Sequence, residues 1–184
     1  LDPAAAALTR YRRKVRRPNT DDEKLNVVFN DYMNCLMGDP TTERELSIID
    51  KAAELGCEYY CLDAGWYDDG FWWERVGEWK EASGRFPNGL KEVCDHAHSK
   101  GLKIEVMGVA CELANKLPDD WFVCRHGKRH IDNKRYMLDF RNPEVRKYCR
   151  DVVDRLINDY GVEYFKVDYN VTMGYGSELN SDSC

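Results

Sequence analysis

Lys166, Asp168 and Asn170 occupy alternate positions in the stretch Gly161-Val-Glu-Tyr-Phe-Lys-Val-Asp-Tyr-Asn170. In an extended chain alternate side chains point the same way, so an ammonium, a carboxylate and an amide converge on one side. A neighbouring Lys166 favours the ionised form of Asp168, the form able to attack an electrophile. Val162, Tyr164, Phe165 and Val167 are β-branched or aromatic, as suits a short strand packed on both faces. Polar residues at the carboxyl end of such a strand mark the place where barrel enzymes build their sites. Asp and Asn after a strand also serve as turn and helix N-cap residues, so the motif alone carries both readings.

The elements that must position this trio follow a regular order. Val27-Val-Phe29 is a short apolar strand ending in Asn30-Asp31. Gly38-Asp-Pro40 breaks the chain, and Thr41 or Thr42 can cap a helix, with Glu45 in capping-box spacing from Thr42. Leu46, Ile49, Ala53 and Leu55 form its apolar face, and Gly56 stops it. The second strand is Glu58–Asp63, followed by Ala64-Gly-Trp66. A second helix spans about Gly89 to Lys100, and the third strand is Leu102–Met107. Asn142-Pro143 starts a third helix that Gly161 closes. Pro118–Val123 and Arg135–Phe140 read as short extended pieces of a long insertion. The four strands are expected near 26–31, 58–63, 102–107 and 163–168.

This βαβαβαβ order implies a parallel α/β sheet with right-handed crossovers. A doubly wound sheet and a (β/α)₈ TIM barrel both fit. No Gly-x-Gly-x-x-Gly follows the first strand, which counts against a nucleotide-binding open sheet. Three of the four strands end in polar clusters, Asn30/Asp31, Asp63/Trp66 and Asp168/Asn170, while the third offers only Glu112 farther out. That placement favours a barrel. A full barrel needs about 250 residues, so the chain holds its N-terminal half, truncated after strand four. Residues 1–24 are expected to lead in from a missing N-terminal domain, and residues 25–184 to form the half-barrel.

Composition excludes other classes. The 184 residues carry 33 acidic and 27 basic side chains, a net charge of -6, which gives no nucleic-acid signal. No apolar run is long enough for a membrane span. The eight cysteines contain no Cys-x-x-Cys, and reduced thiols in a cytoplasmic protein are the favoured reading. The four histidines do not pair into a metal motif, and no metal or cofactor is expected. Between Tyr67 and Phe86 an aromatic-rich loop carries Trp72, Trp73 and Trp79. It reads either as a loop folded over a core or as a stacking surface for the apolar faces of sugar rings.

Five motifs in order resemble the melibiase-type α-galactosidases of glycoside hydrolase family 36. They are Leu62-Asp-Ala-Gly-Trp66, Val76-Gly-Glu-Trp79, Arg85-Phe-Pro-x-Gly-Leu90, Met137-Leu-Asp-Phe-x-Asn-Pro-Glu-Val-Arg146 and Phe165-Lys-Val-Asp-Tyr-Asn170. The resemblance covers roughly residues 25 to 175. It implies a (β/α)₈ domain that hydrolyses terminal α-galactosides of oligosaccharides with retention, through Asp168 as nucleophile. It implies sugar contacts by Lys166, Asn170 and Asp63. Trp66 is either core packing beneath the aromatic loop or a substrate contact. The family often has a second Asp where this chain has Ala64. Of its Glu-Pro-Glu after strand three, Glu112 alone corresponds, and Arg135 is displaced from the family's Arg position.

A retaining mechanism needs a second carboxyl about 5–5.5 Å from the nucleophile. The resemblance places that acid/base near the end of strand six, beyond Cys184, so the isolated fragment is expected to be inactive. Two other readings stand beside the enzyme: a non-catalytic sugar-binding half-barrel, and a metal-dependent barrel hydrolase using Asp31, Asp63, Glu112 and Asp168. Transglycosylation within the same family also stays open. An exposed sheet edge predicts self-association into a homo-oligomer.

Overall fold

The computed structural model describes residues 2–108, 112–113, 117–132 and 135–168. Helices α1 (Pro3–Val15) and α2 (Thr20–Lys24) precede strand β1 (Val28–Asn30). Helix α3 (Thr42–Glu54), strand β2 (Tyr59–Leu62), a short α4 (Trp72–Arg75), α5 (Leu90–Ser99) and β3 (Lys103–Met107) follow. Five two- or three-residue strands come next: β4 (Glu112–Leu113), β5 (Cys124–Arg125), β6 (Lys128–Arg129), β7 (Ile131–Asp132) and β8 (Arg135–Met137). Helix α6 (Pro143–Tyr160) and strand β9 (Tyr164–Lys166) complete the described chain.

The helix ends show why the chain turns where it does. Asn142 accepts the Glu144 N–H at 2.9 Å, with Pro143 preset for the first turn of α6. Gly161 closes that helix at φ +72°, a left-handed position that costs a side-chain-bearing residue energy. Thr41 caps α3 by accepting the Arg44 N–H. The capping box expected between Thr42 and Glu45 does not form. Glu45 instead turns inward, fully buried, and accepts the Tyr60 hydroxyl at 2.5 Å.

Strands β1, β2, β3 and β9 form one parallel sheet in that spatial order. Each new strand adds beside the previous one. A doubly wound sheet would reverse direction at a switch point, whereas sequential addition builds a barrel wall. The architecture is α/β, the N-terminal half of a (β/α)₈ barrel. Strand alternation sends Tyr60, Leu62, Ile104 and Val106 outward to the helices, all at 0% exposure. There they meet Ile49 and Ala52 of α3, Leu90 and Val93 of α5, and Val145 and Leu156 of α6 in one core.

The inner face is open. Val28, Tyr59, Glu105 and Tyr164 line a cavity of about 310 Å³ there. Asp21 of α2 accepts hydrogen bonds from the Tyr59 hydroxyl at 2.7 Å and from Lys103 Nζ at 2.6 Å. Part of the stretch read as a lead-in is thus pinned across the amino ends of β2 and β3.

The excursion between β3 and α6 differs from expectation in one place. Residues 118–123 are not uniformly extended: Asp119–Trp121 make a single 3-10 turn, with the Trp121 N–H on the Pro118 carbonyl at 3.1 Å. Arg135–Met137 is extended as expected, paired antiparallel with β4 and β7. Among the described residues no helix is long and apolar enough to cross a membrane.

Candidate active site

Register places the polar residues level with one another. Leu62 pairs with Val106, Val106 with Phe165, and Met107 with Lys166. Asp63 follows Leu62 and therefore stands at the height of Lys166, two strands away. Two strand spacings are about 10 Å, a gap that a long, inward-pointing lysine can span across a curved sheet. Lys166 Nζ donates to Asp63 Oδ2 at 2.5 Å and lies 3.5 Å from Asp168 Oδ2. One ammonium thus joins a buried carboxylate to a more open one, the Asp63 side chain being 4% exposed and that of Asp168 37%.

Both carboxylate oxygens of Asp63 are held. Oδ2 also accepts from Asn30 Nδ2 at 2.6 Å, and Oδ1 accepts from the Ala64 N–H at 2.7 Å. Its own N–H donates to Asp31 Oδ1 at 2.9 Å. Burial alone would lower the Lys166 ammonium, but its hydrogen bond to Asp63 and the charges of Asp63 and Asp168 outweigh that and raise it. The lysine is therefore held as a cation.

These groups open on a cleft of about 260 Å³ whose polar side is Asp63, Lys166 and Asp168. Its apolar side includes Trp72, Trp79, Met107 and Ala64. Trp72 is set edge-on to Tyr32 with ring centroids 5.5 Å apart. The turn that delivers Asp63 is tight. Gly65 sits at φ +105°, and a Cβ there would lie 2.3 Å from the Gly38 carbonyl oxygen, so the β2 exit packs directly on the β1 exit.

The other residues singled out in the sequence fall elsewhere. Trp66 is fully buried and does not line the cleft; it packs beneath Trp79 and donates its indole N–H to the Met107 carbonyl at 2.9 Å. Its neighbour Trp79 reaches the cleft instead. Arg135 is buried in β8 with its guanidinium over the Trp73 ring, 4.1 Å from the centroid, and it too is not a cleft residue. Glu112 lies in β4 opposite Met137, in the small antiparallel sheet rather than the parallel one. Asn170 lies outside the described residues. Asp31, considered as a cation ligand, is 2% exposed and faces Glu45 behind the sheet end. Among the described residues no group of three or more His, Cys, Asp or Glu is placed to hold a metal ion.

Asn30 was the residue the sequence hid. In the sequence it is one residue of a polar strand end, yet its amide braces Asp63. Strand alternation from Val28 would have put it on the inner face. Glu105, one step below Lys166 on that face, is a second such group. Its carboxyl is raised by burial, against the nearby Lys166 charge.

A family model described as Melibiase matches residues 4–183. Alpha-galactosidase Mel36A of Lactobacillus acidophilus is 27% identical over 181 residues, covering 92% of this chain and 24% of its own length. Alpha-galactosidase 1 of Pediococcus pentosaceus is 26% identical over 169 residues, covering 86% of this chain and 22% of its own length. The chain thus spans about a quarter of the length of the curated relatives it matches. Among solved structures, GH36 alpha-galactosidase AgaB from Geobacillus stearothermophilus superposes with a TM-score of 0.74 at 21% identity, covering 86% of this chain and 23% of that one. A variant of AgaA from the same organism, solved in complex with raffinose, gives a TM-score of 0.72 at 21% identity, over 86% of this chain and 24% of that one. The family model runs through all four strands of the parallel sheet and both acids that Lys166 joins, and the chain belongs to the melibiase family.

Proposed function

We propose that this chain forms the nucleophile-bearing half of a retaining glycosidase acting on terminal α-galactosides. The observation that carries the reading is the single ammonium of Lys166 shared between buried Asp63 and open Asp168, at strand ends two strands apart on one side of the sheet. The more exposed carboxylate borders the cleft where a sugar would sit, while the buried one is braced to hold it. In this reading Asp168 attacks the anomeric carbon and the bond to the leaving oxygen breaks. A second carboxyl about 5–5.5 Å from Asp168 protonates that oxygen, and water later releases the sugar from the glycosyl-aspartate. The second carboxyl comes from the half of the barrel that residues 25–184 do not supply, with residues 1–24 leading in from a preceding domain. Lys166 and Asn170 contact the sugar, and Trp72 and Trp79 offer it an aromatic wall.

Relatives support a substrate class: structures of similar proteins were solved in complex with raffinose and with stachyose. Oligosaccharides ending in an α-galactoside are accordingly the proposed substrates. A cytoplasmic location belongs to the same proposal, supported by the free thiols of Cys57, Cys61 and Cys94.

Asp63→Ala tests the site. In the polypeptide that completes the barrel, it removes a sugar contact and the partner of Lys166 together. The loss of about 1–3 kcal/mol corresponds to a fall of roughly 5- to 150-fold in kcat/KM on an aryl α-galactoside, with KM rising. A variant with wild-type KM and kcat would remove Asp63 from the site.

A further inference from the structure

Two buried acids stand immediately behind Asp63. Asp31 follows β1 and Glu45 lies in the first turn of α3, at 2% and 0% exposure. Each has one oxygen in use. Asp31 Oδ1 accepts the Asp63 N–H at 2.9 Å, and Glu45 Oε2 accepts the Tyr60 hydroxyl at 2.5 Å. The remaining oxygens, Asp31 Oδ2 and Glu45 Oε1, are buried, and among the described residues no N–H or O–H reaches them. The two carboxyl groups stand close enough to act on each other's proton affinity. Ionised carboxylates only accept, so a hydrogen bond between two carboxyls requires a proton on one of them. Without it, two anions would face each other out of water, the arrangement that drives one member of a carboxyl pair to stay neutral.

We infer that Asp31 and Glu45 share one proton and act as positioning residues for Asp63. The shared proton ties the first turn of α3 to the end of β1, and Asp31 in turn fixes the backbone at the β2 exit. The inference rests on the reading of Asp63 as a sugar contact. The titratable groups facing the pair are Tyr60 and Cys61 on β2, Cys35 in the turn after β1, and Asp63 itself. None of these is a cation, so among the described residues no ion pair replaces the proton. Burial raises both carboxyls above their ordinary range, and for Asp31 the Glu45 charge adds to it.

The sign of the pH effect follows. A carboxyl whose folded pKa is raised binds its proton more tightly in the folded chain. Its stabilisation is complete below the ordinary range near pH 4 and is lost as pH rises through the raised value. Glu45→Gln puts a non-titrating amide N–H where the proton stood, donating to Asp31 Oδ2, while its carbonyl still accepts from Tyr60. Its unfolding free energy relative to wild type is therefore expected to climb as pH rises above about 4.

The test compares three variants of the polypeptide that completes the barrel, by denaturant unfolding across pH and by steady-state kinetics on an aryl α-galactoside. Glu45→Gln is expected to hold KM within about threefold of wild type and to show the relative gain in stability with pH. Asp31→Ala leaves the Asp63 N–H without its acceptor and is expected to raise KM about tenfold with a smaller change in kcat. A stability difference between Glu45→Gln and wild type that stays flat with pH would overturn the shared proton, and it remains measurable if Asp31→Ala does not fold. A folded Asp31→Ala with wild-type KM would overturn the positioning role. Asp63→Ala, run alongside, separates the two levels: wild-type KM there sinks the cleft reading itself rather than the pair.

Discussion

Asp168→Asn is expected to abolish hydrolysis of an activated aryl α-galactoside while leaving galactose binding largely intact. The amide has nearly the shape of the carboxylate, so the cleft keeps its form. It lacks the negative charge that must displace the leaving group and become the glycosyl ester. Removing a residue that forms the covalent intermediate costs on the order of 10³-fold in kcat or more. Binding survives because the buried end of the cluster is untouched: Asp63 keeps Asn30 and Lys166 as donors, at 2.6 and 2.5 Å. The neutral amide even frees Lys166 from one of its two acids, so the ammonium leans further to Asp63 and the sugar contacts there. Single-turnover kinetics and a galactose titration by calorimetry check both halves. A kcat within about tenfold of wild type would move the nucleophile elsewhere. A parent protein that binds galactose but turns over no α-galactoside would favour the sugar-binding module instead.

Features set by local chemistry were legible in the sequence. Asn142-Pro143 and Gly161 bracket α6 because capping and left-handed geometry depend on the residue itself. The strand ends at Asp63 and Asp168 were legible because alternation is a property of the backbone. Features set by a distant partner were not. Glu45 sits in apparent capping-box spacing, yet Thr41 rather than Thr42 caps α3, and Tyr60 draws the carboxyl inward. Nothing in residues 41–45 announces Tyr60. The sequence offers Arg135 as a displaced active-site arginine, but its guanidinium lies over Trp73, more than sixty residues back in the chain. The polar end of β1 hid a division of labour: Asn30 faces into the barrel and braces the Asp63 carboxylate, while the next residue, Asp31, points behind it to the backbone. Alternation separates the two side chains, but only register shows which of them meets Asp63 and how.

Trp66→Ala is expected to act on stability first, and on binding only through the packing it removes. The indole is fully buried, 6.3 Å from the Trp79 ring and 5.6 Å from Tyr67, centroid to centroid. Gly108 lies close beneath both indoles; a Cβ there would stand 3.7 Å from Trp66 and 3.5 Å from Trp79. Truncation of so large a buried side chain leaves a cavity and costs about 3–5 kcal/mol. It also strips the Met107 carbonyl of its indole donor. For a domain of this size each kcal/mol is worth roughly 2–4 °C, so Tm falls by roughly 6–20 °C. Trp79, which rests on Trp66 and faces the cleft, loses its support, and affinity drops as a consequence of the loosened floor. Trp66→Phe separates the two roles, because it keeps most of the packing and loses only the N–H. A core tryptophan predicts a small fall in Tm and an unchanged KM for that variant. A KM raised tenfold at unchanged Tm would instead make Trp66 a surface on which the sugar stacks.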